Sequence, residues 1–200
     1  RTVDSRAYVY TNSNQRIRAT LADGSYWIYT YDALGQVTSG KRFWQDGTPV
    51  AGQQYEYAFD DIGNRTRAGT GGDQAGGNLR YQDYTRNRLN QYASRTVPGY
   101  AQVLGSANSN ATVSLWADTG AWAQTSRKGD YFRGELSFAN NNGPVYASVK
   151  NVASLTNGSS PDIVTNVAGS LFVPATPEAF DYDDDGNLTS DGRWNYTWDS

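Results

Sequence analysis

Three stretches of this chain share one pattern: YTYDALGQVT from Tyr29 to Thr38, YAFDDIGNRT from Tyr57 to Thr66, and FDYDDDGNLT from Phe180 to Thr189. Each reads aromatic-x-aromatic-Asp-x-x-Gly-polar-x-Thr. An internal repeat constrains a fold more than any local propensity, because each copy must take the same structure and share a core with its neighbours. Weaker copies extend the series. YVYTNSNQRI, Tyr8 to Ile17, keeps the aromatic pair without the Gly; YQDYTRNRLN keeps Tyr84 and Asn87-Arg88-Leu89; YTWDS, Tyr196 to Ser200, opens another.

The motif predicts a β-hairpin. Aromatics two apart fall on one face of a strand. Asp then starts the turn, because its carboxylate can accept from the backbone two residues on. Gly, or Asn in its place, supplies the positive φ that a tight turn needs. The residues that follow begin the return strand. A single hairpin is marginal alone, so the copies are expected to stack.

Quoted together, Tyr31-Asp32…Gly35, Phe59-Asp60…Gly63-Asn64-Arg65 and Tyr182-Asp183…Gly186-Asn187 resemble the repeats of the RHS/YD-repeat family. That family includes bacterial RHS proteins, shell subunits of toxin complexes and the teneurins. The resemblance covers residues 1–95 and 178–200. It implies hairpins forming an arc of a spiralling sheet within a large extracellular shell, secreted or on the surface of a bacterium. Such a shell encloses or displays a polypeptide cargo, or acts in cell-surface interaction. The family's shells need more repeats than occur here, and neither its core autoprotease Asp pair nor a toxin tail is evident, so those functions are not carried over.

Residues 96–177 interrupt the repeat. Charge falls there, Ala, Asn, Ser, Thr and Val rise, and Pro98, Pro174 and Pro177 mark the borders. ATVSLWA, YFRGELSFA, PVYASVKNVAS and DIVTNVAGSLFVP read as short strands, with NNNG and TNGSS as turns. The expectation is an inserted, small β-sandwich-like domain, the alternative being an elaborated hairpin loop. The fold class is therefore all-β.

Several clusters invite a functional reading. Asp181, Asp183 and Asp185 before Gly186 spell the start of a calcium loop. The position that should carry a bidentate Glu is Gly192, however, and the equivalent repeats make the turn without the acidic set. A structural turn is the expectation, with calcium at Asp181, Asp183 and Asp185 as the alternative. Trp116, Trp122, Tyr131 and Phe132 are candidate ligand-binding aromatics of the insert, against a reading as packing residues. Arg65 and Arg88 are expected to pair with repeat Asp residues or span a neighbouring turn. Glu56 and Asp60-Asp61 invite a glycosidase reading, but adjacent strand residues face opposite ways. The Gly-rich GTGGDQAGG reads as a loop, since it has no Lys and opens no helix.

Composition narrows the remainder. With no Cys and no His among 200 residues, the chain has no disulfide, no thiolate metal site and no imidazole base. Fifteen Tyr and 6 Trp against 6 Phe favour half-buried pleated surfaces. A net charge of −3 without a dense basic patch points away from nucleic acid, and no apolar run reaches the length of a membrane helix. The function expected is a non-catalytic scaffold without a cofactor. The alternative is a binding module whose insert recognises a glycan or protein. Arg1 reads as an internal residue of a longer protein. Its sheet edges, Trp194 and Trp198 included, are expected to pair with further repeats or partner chains, so that the isolated chain self-associates.

Overall fold

The structure is a computed structural model that describes residues 4–199, and these are all-β. The chain divides into two compact units between Asp83 and Tyr84.

The first unit is a run of antiparallel hairpins in which each strand pairs with the next. Its strands are β1 (Arg6–Tyr10), β2 (Arg16–Leu21), β3 (Tyr26–Tyr31), β4 (Val37–Phe43), β5 (Pro49–Phe59), β6 (Arg65–Gly71) and β7 (Leu79–Arg86), the last running past the divide. Register explains the repeated aromatic positions. Tyr29 and Tyr55 lie either side of Gly40, and Trp27 stacks against Tyr29 and Tyr55 at 6.4 and 5.9 Å. The Tyr29 ring lies over Gly40, where a Cβ would meet it at 3.5 Å, an ordinary packing distance. The opposite face carries ion pairs, Lys41–Glu56 at 2.5 Å and Arg67–Asp83 at 2.6 Å. Both faces mix rings and charges: Arg42 stands across from Trp27 and pairs with Asp23, while Tyr26, Phe43 and Tyr81 share the face of Lys41 and Glu56.

In the second unit the end of β7 pairs with β8 (Tyr92–Arg95). The chain then forms β9 (Tyr100–Ser106), β10 (Thr112–Ala117), β11 (Trp122–Gln124), β12 (Ser126–Lys128), β13 (Tyr131–Ser137), β14 (Val145–Asn157) and β15 (Ser160–Val173). It returns as β16 (Glu178–Ala179), which pairs directly with β8, Glu178 against Arg95 and Ala179 against Ser94. A last hairpin follows, β17 (Asp181–Tyr182) and β18 (Leu188–Ser190). The residues between β8 and β16 make two sheets, ordered β11-β10-β14-β15 and β12-β13-β9. Inward side chains of both meet in one core of Leu115, Leu136, Phe138, Ala147, Val149 and Val173. Gly134 lets the sheets close: a Cβ there would sit 2.4 Å from Leu115 Cδ1. Sheet-on-sheet packing of this kind is a β-sandwich.

Candidate functional site

One turn geometry recurs along the chain. At Asp60 the backbone N–H bonds Asn64 O at 2.9 Å, and Gly63 N–H returns to Asp60 O at 3.0 Å. Asp60 Oδ1 accepts from Ile62 N at 3.1 Å and Asn64 N at 2.8 Å. Asp32 does the same for Leu34 and Gln36, Asn87 for Leu89 and Gln91, and Asp183 for Asp185 and Asn187. Asp73 repeats it for Ala75 and Gly77. The fourth turn residue has positive φ each time, 93° at Gly63 and 87° at Gly186, with Asn14 at 61° and Asn90 at 67° where Gly is missing. Asn tolerates this region better than other side chains, which is why the degenerate copies still turn. Register shifts at Val9/Tyr10, Thr30/Tyr31, Ala58/Phe59, Thr85/Arg86 and Asp181/Tyr182 put the same bulge before the turns that start at Thr11, Asp32, Asp60, Asn87 and Asp183, whereas the β6–β7 pair at the Asp73 turn has none. Tyr31, Phe59 and Tyr182 each occupy the strand position just before the turn, and Arg65 stands over the Tyr57 ring at 5.0 Å.

A residue type that motif reading passed over joins the turns. The residue closing one turn is Gln at positions 15, 36 and 91, and its amide lies on the Gly of the next turn. Cβ atoms on Gly35, Gly63 and Gly186 would meet Nε2 of Gln15, Gln36 and Gln91 at 3.2, 2.9 and 3.2 Å. Gln91 Nε2 also donates to Gly186 O at 3.3 Å. The turn at Asp183 therefore meets the turn at Asn87 as the turn at Asp60 meets that at Asp32, although residues 96–177 intervene. Tyr182 adds a hydrogen bond from its hydroxyl to Tyr92 O at 3.1 Å.

This geometry decides how the terminal acidic stretch is used. Asp183 gives Oδ1 to its own turn and Oδ2 to Asn187 Nδ2 at 3.0 Å. Among the described residues no three carboxylates come together as a metal would require. Asp181, Asp183 and Asp185 thus sit along a hairpin without converging, and the donor set does not fit a calcium loop. The bond from Asn187 Nδ2, joined by that from its backbone N–H, holds the Asp183 carboxyl below its ordinary value of 3.8. A depressed carboxyl stabilises the fold above pH 3.8, and that contribution disappears as pH falls through the lower folded value. Wild-type melting temperature should fall across this window, and Asp183→Asn should flatten that part of the profile. At the equivalent turn, Asp60→Ala removes three acceptor contacts and should cost about 1–2 kcal/mol in urea unfolding. A loss below a few tenths would show that the turn closes without its Asp.

The carboxylates named for glycoside chemistry are engaged elsewhere. Glu56 Oε1 takes the Lys41 ammonium at 2.5 Å and Oε2 the Tyr81 hydroxyl at 2.8 Å. Lys41 first and Tyr81 second lower the Glu56 carboxyl. Asp60 is committed to its turn.

In the sandwich, the named aromatics separate into two groups. Trp116 and Trp122 are cross-strand partners on the outer face of the four-stranded sheet, 52% and 54% exposed, their rings 5.9 Å apart and edge-on. Lys150 stands opposite Trp116 on β14. Phe132 is 6% exposed and fills the space above Gly105, where a Cβ would touch its ring at 2.5 Å. Tyr131, one residue away, faces oppositely and pairs with Ser106. The Trp pair is thus the only couple of these four that meets in solvent. Sequence reading did not find the cleft of about 480 Å³ lined by Leu104, Val113, Phe132, Leu155, Ile163 and Val167. Its residues come from β9, β10, β13, β14 and β15, so no local pattern announces it. Arg127 organises the adjoining loop, donating to the carbonyls of Ala107, Asn108, Ala111 and Gly129.

The junction is the remaining polar feature. Glu178, 2% exposed, accepts from both Arg95 and Arg193.

No protein-family model matches this chain, and no curated protein matches it.

Proposed function

We propose that this chain is a non-catalytic structural segment of a large extracellular shell of RHS/YD-repeat type, in which stacked hairpins form the wall and the sandwich is a displayed insertion. The observation that carries the reading is the continuity of the turn row: Gln91 lies on Gly186 as Gln36 lies on Gly63, across an insertion. An array that tolerates an insertion at a hairpin tip and then resumes its own stacking behaves as a wall, with each unit contacting the next. The parent would belong at the surface of, or outside, a bacterial cell and enclose or display a polypeptide. Among the described residues no helix is long and apolar enough to cross a membrane, which says nothing about β-barrels.

Excision tests the reading. Arg95 and Glu178 are direct cross-strand partners, so a two-residue Asn-Gly turn can replace residues 96–177 and close β8 on β16. The shortened chain should keep its strand circular dichroism and a cooperative thermal transition. Glu56 and Asp60 should remain inert towards glycoside substrates. Collapse of the excised chain to an unfolded or molten state would show that the insertion is part of the wall, and the reading would fail.

A further inference from the structure

We propose that β15 is an interface strand that pairs antiparallel with β15 of a second copy of this chain, about a two-fold axis at Thr165.

This strand is the edge of the four-stranded sheet, and every residue from Ser160 to Ser170 is exposed. Its register with β14 runs unbroken from Val173 to Ile163. Beyond Asp162 the strand carries no charge and beyond Pro161 no proline. Folded proteins ordinarily block long edges with a Lys, a Pro or a bulge. By contrast, the edge strand β1 is five residues long, begins at Arg6 and is broken by the shift at Val9/Tyr10. The long edge without charge, proline or bulge, Ile163 to Val173, therefore lies in the sandwich.

The side chains say what fits against it. On the inward face Val173 is buried and Leu171 joins the core, but Val167 and Ile163 are 65% and 54% exposed. The facing sheet ends at β9 and leaves this stripe uncovered. Ile163, Thr165 and Val167 form one wall of the apolar cleft. A two-fold axis at Thr165 sets Ile163 of each copy against Val167 of the other, Val164 against Asn166, and Asp162 against Ala168. Both β-branched pairs are then covered, and the only charge of the strand meets no like charge. Moving the centre one residue either way sets Ile163 and Val167 against Thr165, Gly169 or Pro161 and loses both matches. The strand is complementary to itself in one register, as a two-fold interface demands. In that dimer each cleft gains an apolar neighbour from the second copy.

The chain has no Cys, so one introduced thiol reports the contact without ambiguity. Under mild oxidation, full-length Thr165→Cys should form a disulfide-linked dimer at least about tenfold faster than Leu34→Cys, an exposed turn position outside the strand. Sedimentation of the Cys-free chain over a concentration series should show a monomer–dimer equilibrium. Val167→Lys should weaken it by about tenfold or more, with no change in melting temperature of the monomer. Linkage of Thr165→Cys no faster than the control, a chain monomeric throughout, or association indifferent to Val167→Lys would each overturn the proposal. The last result would place self-association on another edge.

Discussion

Glu178→Ala should destabilise the second unit by about 3 kcal/mol, the lower end of the range for breaking a buried ion pair. The carboxylate side chain is 1% exposed and serves two guanidinium groups, those of Arg95 and Arg193. Removing it leaves two cations facing each other in a partly desolvated place, with the Tyr84 hydroxyl still bonded to Arg95 and the Asp191 carboxylate near Arg193. Arg95 and Arg193 keep some solvent contact, which is why the cost stays near the lower bound. Its position makes the residue more than a stabiliser. Arg95 ends the strand that leaves the hairpin row, Glu178 begins the strand that rejoins it, and Arg193 belongs to the stretch beyond the final hairpin. The pair thus pins the two ends of the insertion in register. Glu178→Gln keeps the shape but loses the charge and should fall between wild type and Ala. Urea unfolding followed by Trp fluorescence reads both variants. A Glu178→Ala loss under 1 kcal/mol would mean that β8–β16 pairing holds the junction unaided.

Leu115→Ala should cost about 3–5 kcal/mol, as truncation of a fully buried Leu leaves a cavity that its surroundings fill only in part. Leu115 has no solvent exposure and lies at the centre of the sandwich core. Gly134→Ala attacks the same contact from the opposite sheet. Its new Cβ would stand 2.4 Å from Leu115 Cδ1 and 3.0 Å from Thr125 Cγ2, so something must shift, at about 1–3 kcal/mol. The two changes compensate in volume. The double variant should therefore be markedly less destabilised than the sum of the singles, with a coupling of about 1 kcal/mol or more. Additive losses would show that Gly134 is there for backbone reasons and not to admit Leu115.

The hairpin turn was legible from residue order because its energetics are local. Asp60 bonds amides two and four residues ahead, and Gly63 supplies φ at the same turn, so every participant lies within five consecutive letters. For the same reason the acidic run at Asp181, Asp183 and Asp185 could be read as a turn, by comparison with the copies that lack the extra carboxylates. Strand positions in the insertion were legible from alternation: Val113 and Leu115 point inward while Ser114 and Trp116 do not. That periodicity says which residues share a face, and nothing about which other strand lies opposite.

Everything that depends on the partner across space was decided by the tertiary structure. Gln15, Gln36 and Gln91 look like ordinary polar turn residues until the turns stack and each amide lands on the next Gly. Arg95 and Glu178 lie 83 residues apart in the chain and became one buried cluster only when the insertion closed on itself. Trp116, Trp122, Tyr131 and Phe132 were a single list of aromatics, which sheet packing split by placing Phe132 beneath the sheet and the Trp pair outside it. The uncharged run after Asp162 was visible as a strand, yet its exposure comes from the facing sheet having one strand fewer. Period and turn chemistry are properties of neighbouring residues, so residue order determines them. Burial, pairing and open edges are properties of what arrives from far along the chain, so only the folded arrangement can settle them.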